Sequence, residues 1–203
     1  AKGPFNIELF TGSPDDNNAK YFFKGAWDLL QPYFKSGALV SPSNHGGGVN
    51  KDFKVQDWQK ISVQGWKAEQ AQKDMESIID SAYAKGQPLH AILSPYDGIS
   101  TGVINAIESK RPDLKPGTDN WPIITGQDAM ESAVSSIARG KQSQTVFKNV
   151  NKLAEAVYQM VLEIAKGKKV SGINGKFNNN KIDVPSKLLN PQDITKDNLT
   201  DLV

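Results

Sequence analysis

From Phe5 to Ile164, short apolar runs alternate with longer segments whose apolar positions recur every three or four residues. Phe5 to Phe10 is an almost continuous apolar run and reads as a buried strand. Ala19, Phe22, Phe23, Ala26, Leu29, Leu30 and Tyr33 follow at helical spacing, widened by Trp27 and Phe34, and Ser36-Gly37 stops the helix. The alternation continues with a strand at Ala38 to Val40. Next come a helix through Ala68, Ala71, Met75, Ile78, Ile79 and Ala82, and a strand at Leu89 to Leu93. A helix through Ile99, Val103, Ile104, Ala106 and Ile107 closes at Arg111-Pro112. Trp121 to Thr125 is the next strand, Ala133, Val134 and Ile137 mark a short helix ending at Gly140, and Gln144 to Phe147 is a further strand. The last long helix carries Leu153, Ala156, Val157, Met160, Val161 and Ile164 and ends at Gly167. Two stretches break the rhythm. Ser41 to Lys60 is rich in Gly, Asn and Lys, holds Phe53 and Trp58, and reads as a long loop or β excursion; the tail run Ile182 to Leu189 is broken by Pro185 and Pro191.

Regular strand and helix alternation implies an α/β fold, a mainly parallel sheet with helices on both faces, because parallel strands need crossover connections. A chain of 203 residues with 38% hydrophobic content supports one substantial core, or one domain with an accessory piece. Lys and Arg number 24 against 22 Asp and Glu, a net charge of +2 with no basic block, so no nucleic-acid partner is expected. The absence of cysteine excludes disulfides, thiolate catalysis and cysteine-ligated zinc. His45 and His90 lack metal-ligand spacing; His90 reads as a strand residue and His45 as a loop residue before Gly46-Gly47-Gly48. No segment is long and apolar enough to cross a bilayer, so no direct membrane insertion is expected. The first strand begins with almost no lead-in, which points to sequence upstream.

In sheets of this kind ligands lie beyond the carboxyl ends of the strands. Those ends carry Asp16 and Asn18, Tyr96 and Asp97, Gln127 and Asp128, and Lys148, and Trp66 opens the remaining helix. The loop Gly12 to Ala19 also has a plain reading as a turn and helix cap, and Asp15 and Asn17 are assigned to the cap. Carboxylates, amides, one lysine and a large aromatic suit a neutral polyol such as a sugar. Each hydroxyl both donates and accepts, and an indole covers the apolar face of a pyranose. An enzyme would use Asp16, Asp97 or Asp128 as its carboxylate pair, but no Glu stands at these ends. There is no nucleophile set and no phosphate-cradling glycine loop. Gly46-Gly47-Gly48 lacks the strand-to-helix context and the lysine. No catalytic residue, metal ligand or cofactor is assigned. The Asp15-Asp16 pair and Asp97 do not form an alternating acidic calcium loop.

Gly12-Ser13-Pro14-Asp15-Asp16-Asn17-Asn18-Ala19, Leu93-Ser94-Pro95-Tyr96-Asp97-Gly98, Thr125-Gly126-Gln127-Asp128 and Thr145-Val146-Phe147-Lys148 occur in this order, with Val184-Pro185-Ser186-Lys187-Leu188-Leu189 and then Pro191 after them. Together they closely resemble the type I periplasmic sugar-binding proteins of ABC transporters, nearest the xylose-binding and multiple-sugar-binding receptors. The resemblance implies that Asp16 and Asn18 bond sugar hydroxyls, Trp66 stacks on the ring, and Asp128 and Lys148 bind further hydroxyls. Tyr96 stands where xylose receptors have Asn before the Asp. The implied ligand is a monosaccharide, an aldopentose or aldohexose such as xylose, glucose or galactose. The implied partner is a membrane permease or a sensor, and the implied location the periplasm or an extracellular lipoprotein. Residues 1–148 and 169–203 then correspond to the carboxyl-terminal lobe. Residues 149–168 form a hinge-crossing helix that belongs to the amino-terminal lobe, which is expected to be absent, leaving half a cleft. Deprived of that lobe, helix 151–166 is expected to refold onto this one or to be buried against a second copy, as a homodimer or by segment exchange. Two alternatives stand beside this reading: the effector-binding domain of a LacI-like regulator, and a carboxylate-based sugar enzyme.

Overall fold

The computed structural model describes residues 3–179 and 181–202. In chain order the elements are β1 Phe5–Leu9, α1 Asn17–Ser36, β2 Leu39–Val40, α2 Ala68–Ile78, β3 Ala91–Leu93, α3 Asp97–Lys110, β4 Ile123–Ile124, α4 Glu131–Ala138, β5 Gln144–Phe147, α5 Val150–Ala165, β6 Gly175–Asn178, β7 Asp183–Ser186 and β8 Gln192–Thr195. They form two compact units, Ala1–Val146 with Asp193–Val203, and Phe147–Gln192.

The first unit is built on a parallel sheet of order β2-β1-β3-β4, with Phe5 opposite Leu39, Ile7 opposite Ala91 and Ala91 opposite Ile123. The chain steps one way from β1 to β2 and back over β1 to reach β3, so strand order reverses between β1 and β3. Side chains alternate across the sheet accordingly. Ile7, Leu9, Ala91 and Leu93 pack with Ala19, Phe23 and Trp27 of α1 on one face. Phe10, Ile92 and Ile124 pack with α2 and α3 on the other. The helices thus lie on both faces, as the alternation predicts. Single bridges, Thr11 with Ser62 and Gln127 with Val146, prolong the pairing past the carboxyl ends, and β5 pairs with β8.

The Ser41 to Lys60 stretch is neither a bare loop nor a β excursion. It holds 3-10 helical turns at His45–Gly47 and Val55–Ile61. Val49, Phe53, Trp58 and Ile61 are buried against α1, with Phe53 edge-on to Phe23 and to Trp27. A buried carboxylate anchors its start: Glu8 accepts hydrogen bonds from Ser41 Oγ (2.7 Å), Ser43 Oγ (2.7 Å) and Tyr83 OH (2.7 Å). Burial, reinforced by Glu8, pushes the Tyr83 phenol far above its ordinary range. At the opposite end of the sheet Asn6 N–H donates to His90 Nδ1 (2.9 Å), placing His90 just before β3.

The second unit contains α5 and an antiparallel hairpin in which Phe177 pairs with Val184, so the tail run reads out as a hairpin strand and its exit. Asn149 caps α5 by accepting from Lys152 N–H (3.0 Å), and Asn174 clamps Leu188 through two bonds of 2.9 and 2.7 Å. Among the described residues of α5 only Ala156 is buried. Val150, Leu153, Val157, Val161 and Ile164 are all more than half exposed.

Candidate functional site

The reversal of strand order opens a crevice at the carboxyl ends of β1 and β3, and both exits carry polar loops. From β1 the chain runs through Thr11, whose N–H and C=O bond Ile61 and Val63, to Ser13. Buried Ser13 donates its hydroxyl proton to Asp15 Oδ1 and accepts from Gly65 N–H (2.8 Å), tying this loop to the one bearing Trp66. Asp16 is the N-cap of α1, accepting from Asn18 N–H through Oδ1 (2.8 Å). The cap therefore belongs to Asp16 and not to Asp15 and Asn17. Asp16 remains at the surface all the same: an open hollow of about 570 Å³ is lined by Ser13, Asp15, Asp16, Asn17, Asn18, Gly65 and Trp66.

Trp66 forms the wall of this hollow. Its φ of 57° lies in the left-handed region, as does that of Gly65 at 65°. This double turn lays the indole against Gly12: a Cβ there would stand 1.9 Å from Trp66 Cη2. The indole also meets the ring of half-buried Tyr96, nearly perpendicular with ring centroids 5.8 Å apart. Asp16, Asn18 and Trp66 thereby line one hollow, and Tyr96 touches the indole without lining it.

Asp97, Gln127 and Asp128 gather one strand further along. Asp97 opens α3 with no exposed surface. Its carboxylate accepts from Met130 N–H (2.9 Å), Gln142 Nε2 (2.8 Å) and Thr145 Oγ1 (2.9 and 3.0 Å). Burial raises its pKa above the usual carboxylate range and the charge of Asp128 adds to this, while the three donors oppose it. Gln127 Nε2 reaches Pro95 O (3.3 Å), and the residue lines a smaller hollow of about 140 Å³ with Phe10, Phe22 and Val146. Asp128 donates its N–H to Val146 O (2.9 Å) at a φ of 96°. Lys148 lies in the second unit, at a cleft of about 400 Å³ shared with Lys152, Leu153, Lys187 and Leu188. Sequence reasoning missed Ser13 and Gly65, whose role is to join two loops; a glycine directly before the site aromatic was the available signal.

The profile of the periplasmic binding protein domain matches residues 1–169. The multiple sugar-binding periplasmic protein SbpA of Azospirillum brasilense is 40% identical over 97% of this chain and 52% of its own length. The D-xylose-binding periplasmic protein of Escherichia coli is 32% identical over 98% of this chain and 52% of its own. Among solved structures, an ABC transporter solute-binding protein from Clostridium phytofermentans with bound β-D-glucose superposes with a TM-score of 0.83 at 39% identity, covering 100% of this chain and 58% of that one. A carbohydrate transporter solute-binding protein from Chloroflexus aurantiacus in complex with D-glucose gives 0.82 at 27%, covering 99% and 58%. The chain spans about half the length of these relatives. With the profile matched over most of its residues and the doubly wound sheet in place, the chain belongs to the periplasmic binding protein family.

Proposed function

We propose that this chain forms one jaw of a monosaccharide receptor that delivers an aldopentose or aldohexose to an ABC importer in the periplasm. The observation that carries the reading is the hollow beyond the carboxyl end of β1. Carboxylate and amide groups of Asp16 and Asn18 stand there beside an indole face, the pairing that a pyranose with hydroxyls on its rim and C–H groups on its faces requires. Relatives of similar sequence that hold glucose support the same ligand class. Trp66 covers the sugar ring, Asp16 and Asn18 bond its hydroxyls, and Tyr96 holds the indole in place. Asp128 contributes from the next loop.

No chemical step belongs to this reading. Asp16 spends one oxygen on the helix cap and Asp97 spends both on the fold, which leaves neither as a poised acid or base. In the intact receptor the sugar stabilises the closed state by its differential affinity for it, and that state docks on the permease or a sensor. Isothermal titration with a panel of aldoses tests the proposal, on this chain and on one extended to the relatives' full length. Saturable binding of an aldose, with the sugar recovered unchanged, is expected. An extended chain that binds no aldose refutes the function; a silent short chain beside a binding long one fits the single jaw.

A further inference from the structure

We infer that Asp97 is a positioning residue for the sugar site: its buried carboxylate holds the turn between β4 and α4 in the conformation that presents Gln127 and Asp128 at the carboxyl edge of the sheet. This rests on the sugar reading of that edge and adds to it a residue that never meets the ligand.

Five observations converge on Asp97. An acidic residue in the first turn of a helix ordinarily faces the free N–H groups of its own helix. Asp97 instead reaches across to the neighbouring turn and strand, accepting from Met130 N–H, Gln142 Nε2 and Thr145 Oγ1. Its own N–H closes the link from the other side, donating to Gln127 O (3.1 Å). The turn so gripped is one the backbone does not choose unaided: Asp128 and Ala129 have φ of 96° and 53°, a region that residues with side chains rarely occupy. Thr145 relays the grip, because its Oγ1 accepts from Ala129 N–H (3.1 Å) while donating to Asp97. The sequence also clears the space. A Cβ on Gly126 would lie 2.2 Å from Asp97 Oδ1 and 2.2 Å from Gln142 Nε2, so only glycine lets the carboxylate sit there. Removing its charge weakens the acceptor of the buried Gln142 amide and the part-buried Met130 N–H, and removing Thr145 Oγ1 takes the acceptor from Ala129 N–H; either change frees the turn to relax, carrying the Asp128 side chain with it.

The test compares Asp97→Asn and Thr145→Val with a core control, Ile107→Val, in the full chain. Amide hydrogen exchange at residues 128–130 is read beside calorimetric titration with D-glucose. In Asp97→Asn the new amide NH2 faces donors, and in Thr145→Val the relay is lost. Both are expected to speed exchange at Ala129 and Met130 and to weaken glucose binding by roughly 10- to 100-fold, the range for stranding a buried group. Ile107→Val lowers the melting temperature but leaves affinity within about twofold, since its site is remote from the turn. Should Asp97→Asn fail to fold, Thr145→Val carries the comparison. Unchanged exchange in the variants overturns the grip whatever the chain binds. A loosened turn with unchanged glucose affinity overturns the positioning role. An unmutated chain that binds no aldose, alone or extended to full length, instead overturns the sugar reading and with it the role assigned here.

Discussion

The indole of Trp66 occupies the place where a side chain on residue 12 would be, and this makes Gly12 a test of the site. With 1.9 Å between an added methyl carbon and Cη2, Gly12→Ala forces the ring outward, and the positive φ of Trp66 limits where it can go. We expect Gly12→Ala to fold, to change the near-ultraviolet dichroism of the indole, and to weaken aldose binding by about tenfold, or about 1.4 kcal/mol. Unaltered titration curves would remove Trp66 from the site. His45 gives a second prediction. Its ring lies against Phe10, and Nε2 is buried without a hydrogen-bond partner. Burial lowers its pKa, while Asp74 and Glu8 oppose the shift. The folded state therefore favours the neutral ring, and the unfolded chain binds the proton first. Stability from this group is complete above the unfolded value of about 6.5 and is lost as pH falls through that value toward the folded one. Thermal unfolding between pH 7.5 and 5 should show a falling melting temperature, and His45→Leu should flatten that slope. A variant as pH-sensitive as the parent would place the acid lability elsewhere. Neither property was legible from residue types alone: a histidine before three glycines reads as a loop residue until its burial is seen.

At the scale of elements, α1 begins on a residue with two tasks. Asp16 caps the helix through one oxygen and borders the hollow, so the cap and the proposed ligand contact are separable by substitution. Asp16→Ala removes the cap and should cost about 1 kcal/mol, read as a drop of about 2 to 4 °C in melting temperature for a chain of this size. Asp16→Asn keeps a side-chain oxygen at the cap, so its melting temperature should stay near the parent's while aldose affinity falls, because a charged acceptor becomes neutral. Equal affinity losses explained wholly by unfolding would leave Asp16 a cap alone. The strands and helices around it were legible because each carries a periodic apolar face: Ala19, Phe23 and Trp27 mark α1, and Ala71, Met75 and Ile78 mark α2. The 41–66 segment was not, since short 3-10 turns bury single anchors such as Val49, Phe53 and Trp58 without any period to betray them. The strand ends told where polar groups converge. They did not tell that Asp97 points inward while Asp16 and Asn18 line the hollow, a distinction fixed by the partners Met130, Gln142 and Thr145 on distant parts of the chain.

At the scale of the whole molecule, the second unit has an unusual surface. It carries eight lysines against three carboxylates. Along α5, Val150, Leu153, Val157, Val161 and Ile164 form an exposed stripe with Tyr158 beside it. A stripe of this kind in water favours association. Its spacing is symmetric about Val157, with apolar residues four and seven positions to either side. An antiparallel second copy would set Val157 against Val157, Leu153 against Val161 and Val150 against Ile164, the self-complementary match of a two-fold interface. The clustered lysines limit the strength of such a pair at low salt and make it tighten as salt screens them. Sedimentation velocity over increasing concentration is therefore expected to show a monomer–dimer equilibrium shifted toward dimer at higher salt. Val157→Glu, which places like charges at the centre, should restore the monomer without lowering the melting temperature of the first unit. A parent chain that stays monomeric at all concentrations, or a Val157→Glu variant that associates as the parent does, would remove the stripe from any role in assembly.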